Sequence, residues 1–293
     1  MLPNARRHAM QPGTRPSCRR HWRDNATVRR SVSYRRTAAG KNEKDIHMIV
    51  RQVANALEVI EYFSRRKEPL TLAELVDEFQ WPRSSTFNLI TTFVDRGYMY
   101  EPGPRGKYYP TPKWLAIANA ISEAEPIPAA VYKLIRQLVK STGETVFIGA
   151  YSGASAVIVA AVESDAELRY SAFIGKKLPI LDTATGRAIL AQCSEEERLS
   201  VIRRVEKERG KGSSRSAAKQ LDANIAEGLK RGWFQVLKTF TPNIAGVSIP
   251  FNLRGRNLAI TIAGPVFRIE NRVESLGRQL RDAFERYKHP ESK

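Results

Sequence analysis

Between positions 83 and 88 nearly every residue carries a hydrogen-bonding side chain: Arg83, Ser84, Ser85, Thr86 and Asn88. A guanidinium can pair with both acceptors of a guanine edge and a carboxamide with adenine, while hydroxyls suit bases or phosphates. At the start of a helix, such a set could read nucleic acid from the major groove. Arg105 and Lys107 flank a glycine just beyond Pro102-Gly103-Pro104. From there they could hold phosphates or enter the minor groove, contacts that position a protein rather than specify sequence. A plainer reading stays open: Ser84 could cap the helix, and the two later cations could be merely solvated. Thr86 belongs to the polar set, yet its spacing also places it with Phe87, Ile90, Phe93 and Val94 on an inward face.

Chemistry of other kinds finds little support. The four histidines (His8, His21, His47, His289) fall in or near the termini, leaving none for a folded core. Cys18 and Cys193 are isolated, which argues against a disulfide framework or metal cluster and suits a reducing, cytoplasmic setting. Asp182 and Arg187 fit an ion pair or a binding site better than an acid–base couple, and Glu195-Glu196-Glu197-Arg198 reads as a solvated helix start. No metal and no cofactor is expected, and no apolar run approaches a membrane span.

The net charge of +18 is unevenly spread over the 293 residues. Positions 1–45 hold twelve Lys/Arg against three acids, whereas 46–120 hold nine against eight. The first segment, punctuated by Pro3, Pro12, Gly13 and Pro16, lacks apolar periodicity and is expected to be disordered. A phosphate-contacting arm, an Arg-rich presequence and a chain that truly starts at Met48 are its three readings.

From Ile49 onward the pattern is ordered. Val50, Val53, Leu57, Ile60 and Phe63 recur at helical spacing. A second helix spans 72–79, with Thr71 and Glu74 as a capping box, and a third runs over 83–95 and stops at Gly97. Short strands at 98–100 and 107–109 flank a Gly/Pro turn, and an apolar-sided helix covers 114–121. Three helices and a hairpin form a winged helix-turn-helix. Beyond Pro126 and Pro128, helices at 130–141, near Thr183, near Ser194 (capped by Glu197), at 217–231 and at 273–287 alternate with strands. The strands are expected at 144–151, 156–162, 168–173, 233–240, 246–250 and 258–263. The fold class is therefore α+β, a winged helix followed by a domain built on an antiparallel sheet.

The chain resembles the IclR family of bacterial regulators. Leu72-Ala73-Glu74-Leu75 with Trp81-Pro82-Arg83-Ser84-Ser85 looks like the family's helix, turn and recognition helix. Asp95-Arg96-Gly97-Tyr98, Lys107-Tyr108 and Trp114-Leu115 match its wing and linker. Further blocks follow at Gly175-Lys176-Lys177-Leu178-Pro179, at Thr183 to Ala191, at Ser248-Ile249-Pro250-Phe251 and at Ala259 to Pro265. Gln80 stands where a glycine is usual, Asn88 where Arg is, and Arg187 where Lys is.

The resemblance implies a GAF-like effector domain binding a small organic acid or aromatic metabolite, with Ala184, Thr185, Gly246, Thr261 and Ala263 at its pocket. Independently, free N–H groups at a helix start beside the Thr183 and Thr185 hydroxyls favour a carboxylate. Trp233, Phe234 and Phe240 could be pocket walls or core. The expected division is a basic extension (1–47), the winged helix (48–112), a linker helix (113–128) and the effector domain (129–290). The expected function is a ligand-responsive regulator binding double-stranded operator DNA as a homodimer or dimer of dimers, with dimer contacts over 114–121. A ligand-independent nucleic-acid-binding protein, or an enzyme carrying a winged helix, are the alternatives.

Overall fold

The computed structural model describes residues 49–103, 106–124, 127–210, 215–237 and 242–289. The basic extension 1–47, Arg105 and Phe240 lie outside the described residues. No helix of the described residues is long and apolar enough to cross a membrane.

The first module comprises α1 (Arg51–Arg66), β1 (Leu70–Thr71), α2 (Leu72–Phe79), α3 (Arg83–Asp95), β2 (Met99–Tyr100), β3 (Lys107–Pro110) and α4 (Lys113–Ala124). Its three strands lie in the order β1-β3-β2, so the two expected wing strands gain a third, β1, at the edge beside β3. Both halves of the Thr71–Glu74 capping box form, fixing the start of α2. Gly97, at φ +70°, ends α3: its N–H reaches Val94 O and that of Tyr98 reaches Phe93 O, the paired bonds of a Schellman stop. The indole N–H of Trp114 donates to Tyr98 O at 3.0 Å, tying α4 to the wing.

The inward face of α1 differs from the expected one. Val59 and Phe63 are buried, with Ala56 and Ile60 beside them, while Val50, Val53 and Leu57 stay more than half exposed. The helix therefore carries two apolar stripes, and only one serves this core.

The second module is a six-stranded, wholly antiparallel sheet in the order β6-β5-β4-β9-β8-β7. Its strands are β4 (Thr145–Ser152), β5 (Ser155–Val162), β6 (Lys177–Pro179), β7 (Phe234–Leu237), β8 (Ile244–Leu253) and β9 (Arg256–Pro265). Alternation splits the side chains between two layers. Val146, Ile148, Val247, Ile260 and Ile262 face α5 (Ala129–Thr142) and α10 (Val273–Lys288). Phe147, Ala259 and Ala263 face the layer of α6 (Ala184–Leu190), α7 (Glu195–Glu208) and α8 (Arg215–Arg231). A short helix, α9 (Val266–Ile269), follows β9.

The segment 168–173 is not a strand. Side chains distant in sequence take its backbone groups instead: Thr145 donates to Tyr170 O, Arg268 to Leu168 O, and Ala172 N–H reaches the Glu163 carboxylate. With those groups satisfied, no neighbouring strand is needed.

Candidate functional site

The pocket follows from small residues on the α6 side of the sheet. A Cβ on Gly149 would come within 2.4 Å of the Thr185 methyl, and one on Gly186 within 1.9 Å of Ile180 O. These two glycines let α6 settle directly onto the strands. Thr183 caps the helix, accepting from Gly186 N–H and donating to Pro179 O at 2.9 Å. Its hydroxyl proton is committed, which removes it from the donors expected for a ligand. The capping box of α7, Ser194 with Glu197, forms as expected.

Between the first turn of α6 and the sheet lies a small cavity of about 60 Å³ that opens to solvent. Ala184, Thr185, Gly246, Thr261 and Ala263, all expected at a ligand pocket, line it together. Phe147 and Tyr170 add aromatic walls, and no described lining residue is charged. Burial pushes the Tyr170 phenol up to about 12. The expected alternative walls are elsewhere: Trp233 and Phe234 are buried in the two cores.

Register places Ser248 opposite Thr261 across β8 and β9. Ser248 Oγ donates to Ile260 O at 3.1 Å and lies 2.9 Å from Thr261 Oγ1, which lies 2.8 Å from Thr185 Oγ1. A hydroxyl has one proton. Since Ser248 gives its own to Ile260, Thr261 must donate to Ser248, and Thr185 to Thr261. The string is thus polarised and offers the cavity lone pairs rather than protons. Donors come instead from α6, where the Ala184 and Thr185 N–H groups precede the first helical hydrogen bond.

Tyr170 sits on the irregular segment, and a set of long-range contacts holds it there. Glu163 accepts from Arg169, Ser171 and Ala172, and the Arg169 guanidinium above all holds its carboxyl below the usual range. Lys176 Nζ lies 4.2 Å from the Tyr170 ring centroid. Arg268 grips the buried Glu144 carboxylate at 2.7 and 2.8 Å and spends a further N–H on Leu168 O. Asp182 pairs with Arg209 rather than joining the pocket. Arg187 also lies outside it, with one long bond to Gln235 O at 3.5 Å and its Nε unpartnered.

In the first module, α3 turns Arg83, Ser84, Ser85 and Asn88 to solvent, and Lys107 is exposed on the wing. Thr86 does not join them. It is fully buried, with its hydroxyl donating to Pro82 O at 3.1 Å, because it sits one turn before Ile90 on the core side. Ser84 is no cap either: α3 starts at Arg83 behind Pro82 and has no side-chain cap. Phe87, expected inward, is 46% exposed. Gln80 takes the left-handed turn at φ +54°, and its side chain donates to Asp77 O.

Two family models match this order of modules: the IclR helix-turn-helix domain over residues 52–102 and the bacterial transcriptional regulator IclR C-terminal domain over 120–288. The chain belongs to the IclR family of bacterial transcriptional regulators. It is similar to the acetate operon repressor of Salmonella typhimurium, 27% identical over 233 residues covering 78% of this chain and 85% of the relative. It shares its fold with the Thermotoga maritima IclR (TM-score 0.60, 18% identity, covering 80% of this chain and 98% of that one). The same fold occurs in an IclR homolog from Microbacterium hydrocarbonoxydans complexed with 4-hydroxybenzoate (TM-score 0.57, 16% identity, 80% and 98% covered).

For an IclR-family chain, α2, the Gln80 turn and α3 form the DNA-binding helix-turn-helix. Sequence reasoning had no access to Phe147 and Tyr170 as pocket walls, nor to Ser248, which is bonded to Thr261 behind the lining. Phe87 carried a signal that was misassigned, an apolar residue within an otherwise polar helical face.

Proposed function

We propose that this IclR-family regulator reads a pseudo-palindromic operator through α3 and is switched by a small aromatic carboxylic acid held in the α6 cavity. The carrying observation is the convergence of Ala184, Thr185, Gly246, Thr261 and Ala263 on one cavity with aromatic walls and no charged described lining. Phe147 and Tyr170 suit the flat face of a ring. The free N–H groups of α6 suit a carboxylate, and the lone pairs of the Thr185–Thr261 string suit a hydroxyl proton on the ligand. The 4-hydroxybenzoate found in the Microbacterium protein has these three features, which favours this ligand class here. Among the described lining residues no acid–base couple faces the cavity, which favours binding over turnover.

On DNA, Arg83 pairs with guanine and Asn88 with adenine, while Ser84, Ser85 and the wing residues Arg105 and Lys107 hold phosphate. The protein acts as a homodimer or a dimer of dimers. The apolar stripe of Ile49, Val50, Val53 and Leu57, with Leu115 and Ile121 of α4, is exposed in the single chain and suits self-association. The working units are the winged helix (48–112), its linker (113–128) and the effector domain (129–290).

Three measurements test this reading. Footprinting on DNA upstream of the protein's own gene should protect two half-sites about one helical turn apart. Calorimetry with 4-hydroxybenzoate and with benzoate should show saturable binding that Thr185→Val weakens. Protection no tighter than on random DNA would remove the operator half. Native mass spectra showing a co-purified metabolite of another class would remove the ligand half.

A further inference from the structure

Five large apolar side chains lie on α3: Phe87, Leu89, Ile90, Phe93 and Val94. Four of them join the core of the winged helix. Phe87 does not. It is 46% exposed, belongs to no described core cluster and stacks on no described aromatic ring. It shares the outer face of α3 with Ser84 three residues before it, Asn88 after it and Thr91 one turn on, so it stands among the groups assigned to base edges. The Arg83 and Asn88 side chains beside it make no hydrogen bond to any described residue and stay available to a partner.

An exposed phenyl ring forgoes hydrophobic stabilisation in the free protein. Phenylalanine also has no donor or acceptor, so it can neither hold a phosphate nor read a polar base edge. On base edges in the major groove, the apolar group open to such a ring is the C5 methyl of thymine.

We propose that Phe87 is a specificity-determining residue that packs on the C5 methyl of a thymine next to the base engaged by Asn88. The inference rests on the reading of α3 as the base-reading helix and adds to it a preference carried by no hydrogen bond. Asn88 and Phe87, adjacent on α3, together select an A·T-containing step in each half-site. Methylated cytosine presents the same methyl group, and a ring that reads only the methyl responds to it in the same way.

The test uses the full chain. Duplexes selected from a randomised library supply the probe, and anisotropy supplies affinities for wild type and Phe87→Ala. Each thymine of the selected half-site is replaced singly by deoxyuridine, which deletes only the methyl. One position should cost wild type about fourfold, the worth of burying one methyl-sized group. The same replacement should cost Phe87→Ala nothing. At that position 5-methylcytosine should bind wild type about fourfold more tightly than cytosine and show no such gain with Phe87→Ala, because the ring reads only the methyl.

Equal uracil penalties in wild type and variant, or none in either, overturn the assignment while leaving the base-reading role of α3 intact. A library that yields no motif overturns both. Phe87→Ala should melt like wild type, because the ring lies outside the core. A change in oligomeric state on light scattering would instead identify Phe87 as a protein contact and overturn the proposal.

Discussion

Removing Arg268 should be far more damaging than removing it together with Glu144. Glu144 is 1% exposed, and among the described residues its carboxylate is bonded only to Arg268, at 2.7 and 2.8 Å. No space remains for water to replace the guanidinium on one side, where a Cβ at Gly264 would lie 2.2 Å from Oε2. Arg268→Met therefore leaves a buried charge without a partner, which costs about 3–5 kcal/mol. Arg268 itself is 27% exposed on its side chain, so solvent screens part of the pair and the lower end, about 3 kcal/mol, is expected. Glu144→Met with Arg268→Met removes both charges and should return to within about 1 kcal/mol of wild type. Urea unfolding followed by the fluorescence of buried Trp233, at one fixed protein concentration, reads the difference as a shift in midpoint. A wild-type midpoint for Arg268→Met, or a double variant no better than the single one, would refute the argument. The double variant should still bind the ligand more weakly, because Leu168 O loses its donor and the Tyr170 segment loosens in either background.

Gly149→Ala should lower ligand affinity at least tenfold by calorimetry, because the new methyl meets the Thr185 methyl and lifts α6 from the sheet; unchanged affinity would contradict the placement of α6. Gln80→Gly relieves a left-handed residue and should stabilise the winged helix by about 0.5 kcal/mol, the strain less the extra chain entropy of glycine, with unchanged operator preference. Tyr170 should resist ionisation: burial raises its phenol to about 12 against about 10 unfolded, so the unfolded chain binds fewer protons between these values and stability falls as pH rises through that window. The difference between tyrosinate absorbance titrations of wild type and Tyr170→Phe should show one phenol near 12, and one near 10 would be contrary. Leu57→Glu, on the exposed stripe of α1, should shift light scattering toward monomer and weaken operator binding while leaving the effector domain able to bind ligand.

What could be read from the chain was local, and what could not was set at a distance. The two capping boxes and the Gly97 stop each need only three or four neighbouring residues, and all were legible; the left-handed Gln80 was hinted at only by the glycine usual at that place in the family. Segment 168–173 has the apolar and aromatic content of a strand, but its hydrogen bonds are taken by Thr145, Glu163 and Arg268, the last 100 residues from Leu168. Nothing local announces that. On α1 and α3 the helical period was right and only part of each apolar set faces the core: Ile60 and Phe63 but not Val53 and Leu57, and Ile90, Phe93 and Val94 but not Phe87. At about 100° per residue, Leu57 lies nearly opposite Val59 and Phe87 about a quarter turn from Thr86, and an apolar repeat alone does not say which stripe packs. Ser248 could enter the hydroxyl string only once the register of β8 on β9 was known.

The charge of the chain places its own demand on how it holds DNA. Positions 46–120 are almost neutral, with nine basic residues against eight acidic ones. Several of the nine are also occupied: Arg66 pairs with Glu68 at 2.6 Å, and Lys113 donates to Arg96 O while standing over the Tyr98 ring. Few cations are left to neutralise phosphates, and phosphate neutralisation supplies most of the sequence-independent affinity of a DNA-binding protein. One winged helix of this composition therefore holds random DNA weakly, and its discrimination falls on the groups that meet base edges. Two copies on one operator would double those few contacts and make the second binding event intramolecular. If the exposed stripes of α1 and α4 pair two chains and Phe87 meets a base as proposed, both would offset the same shortage, the first by pairing reading heads and the second by adding a contact that salt does not screen.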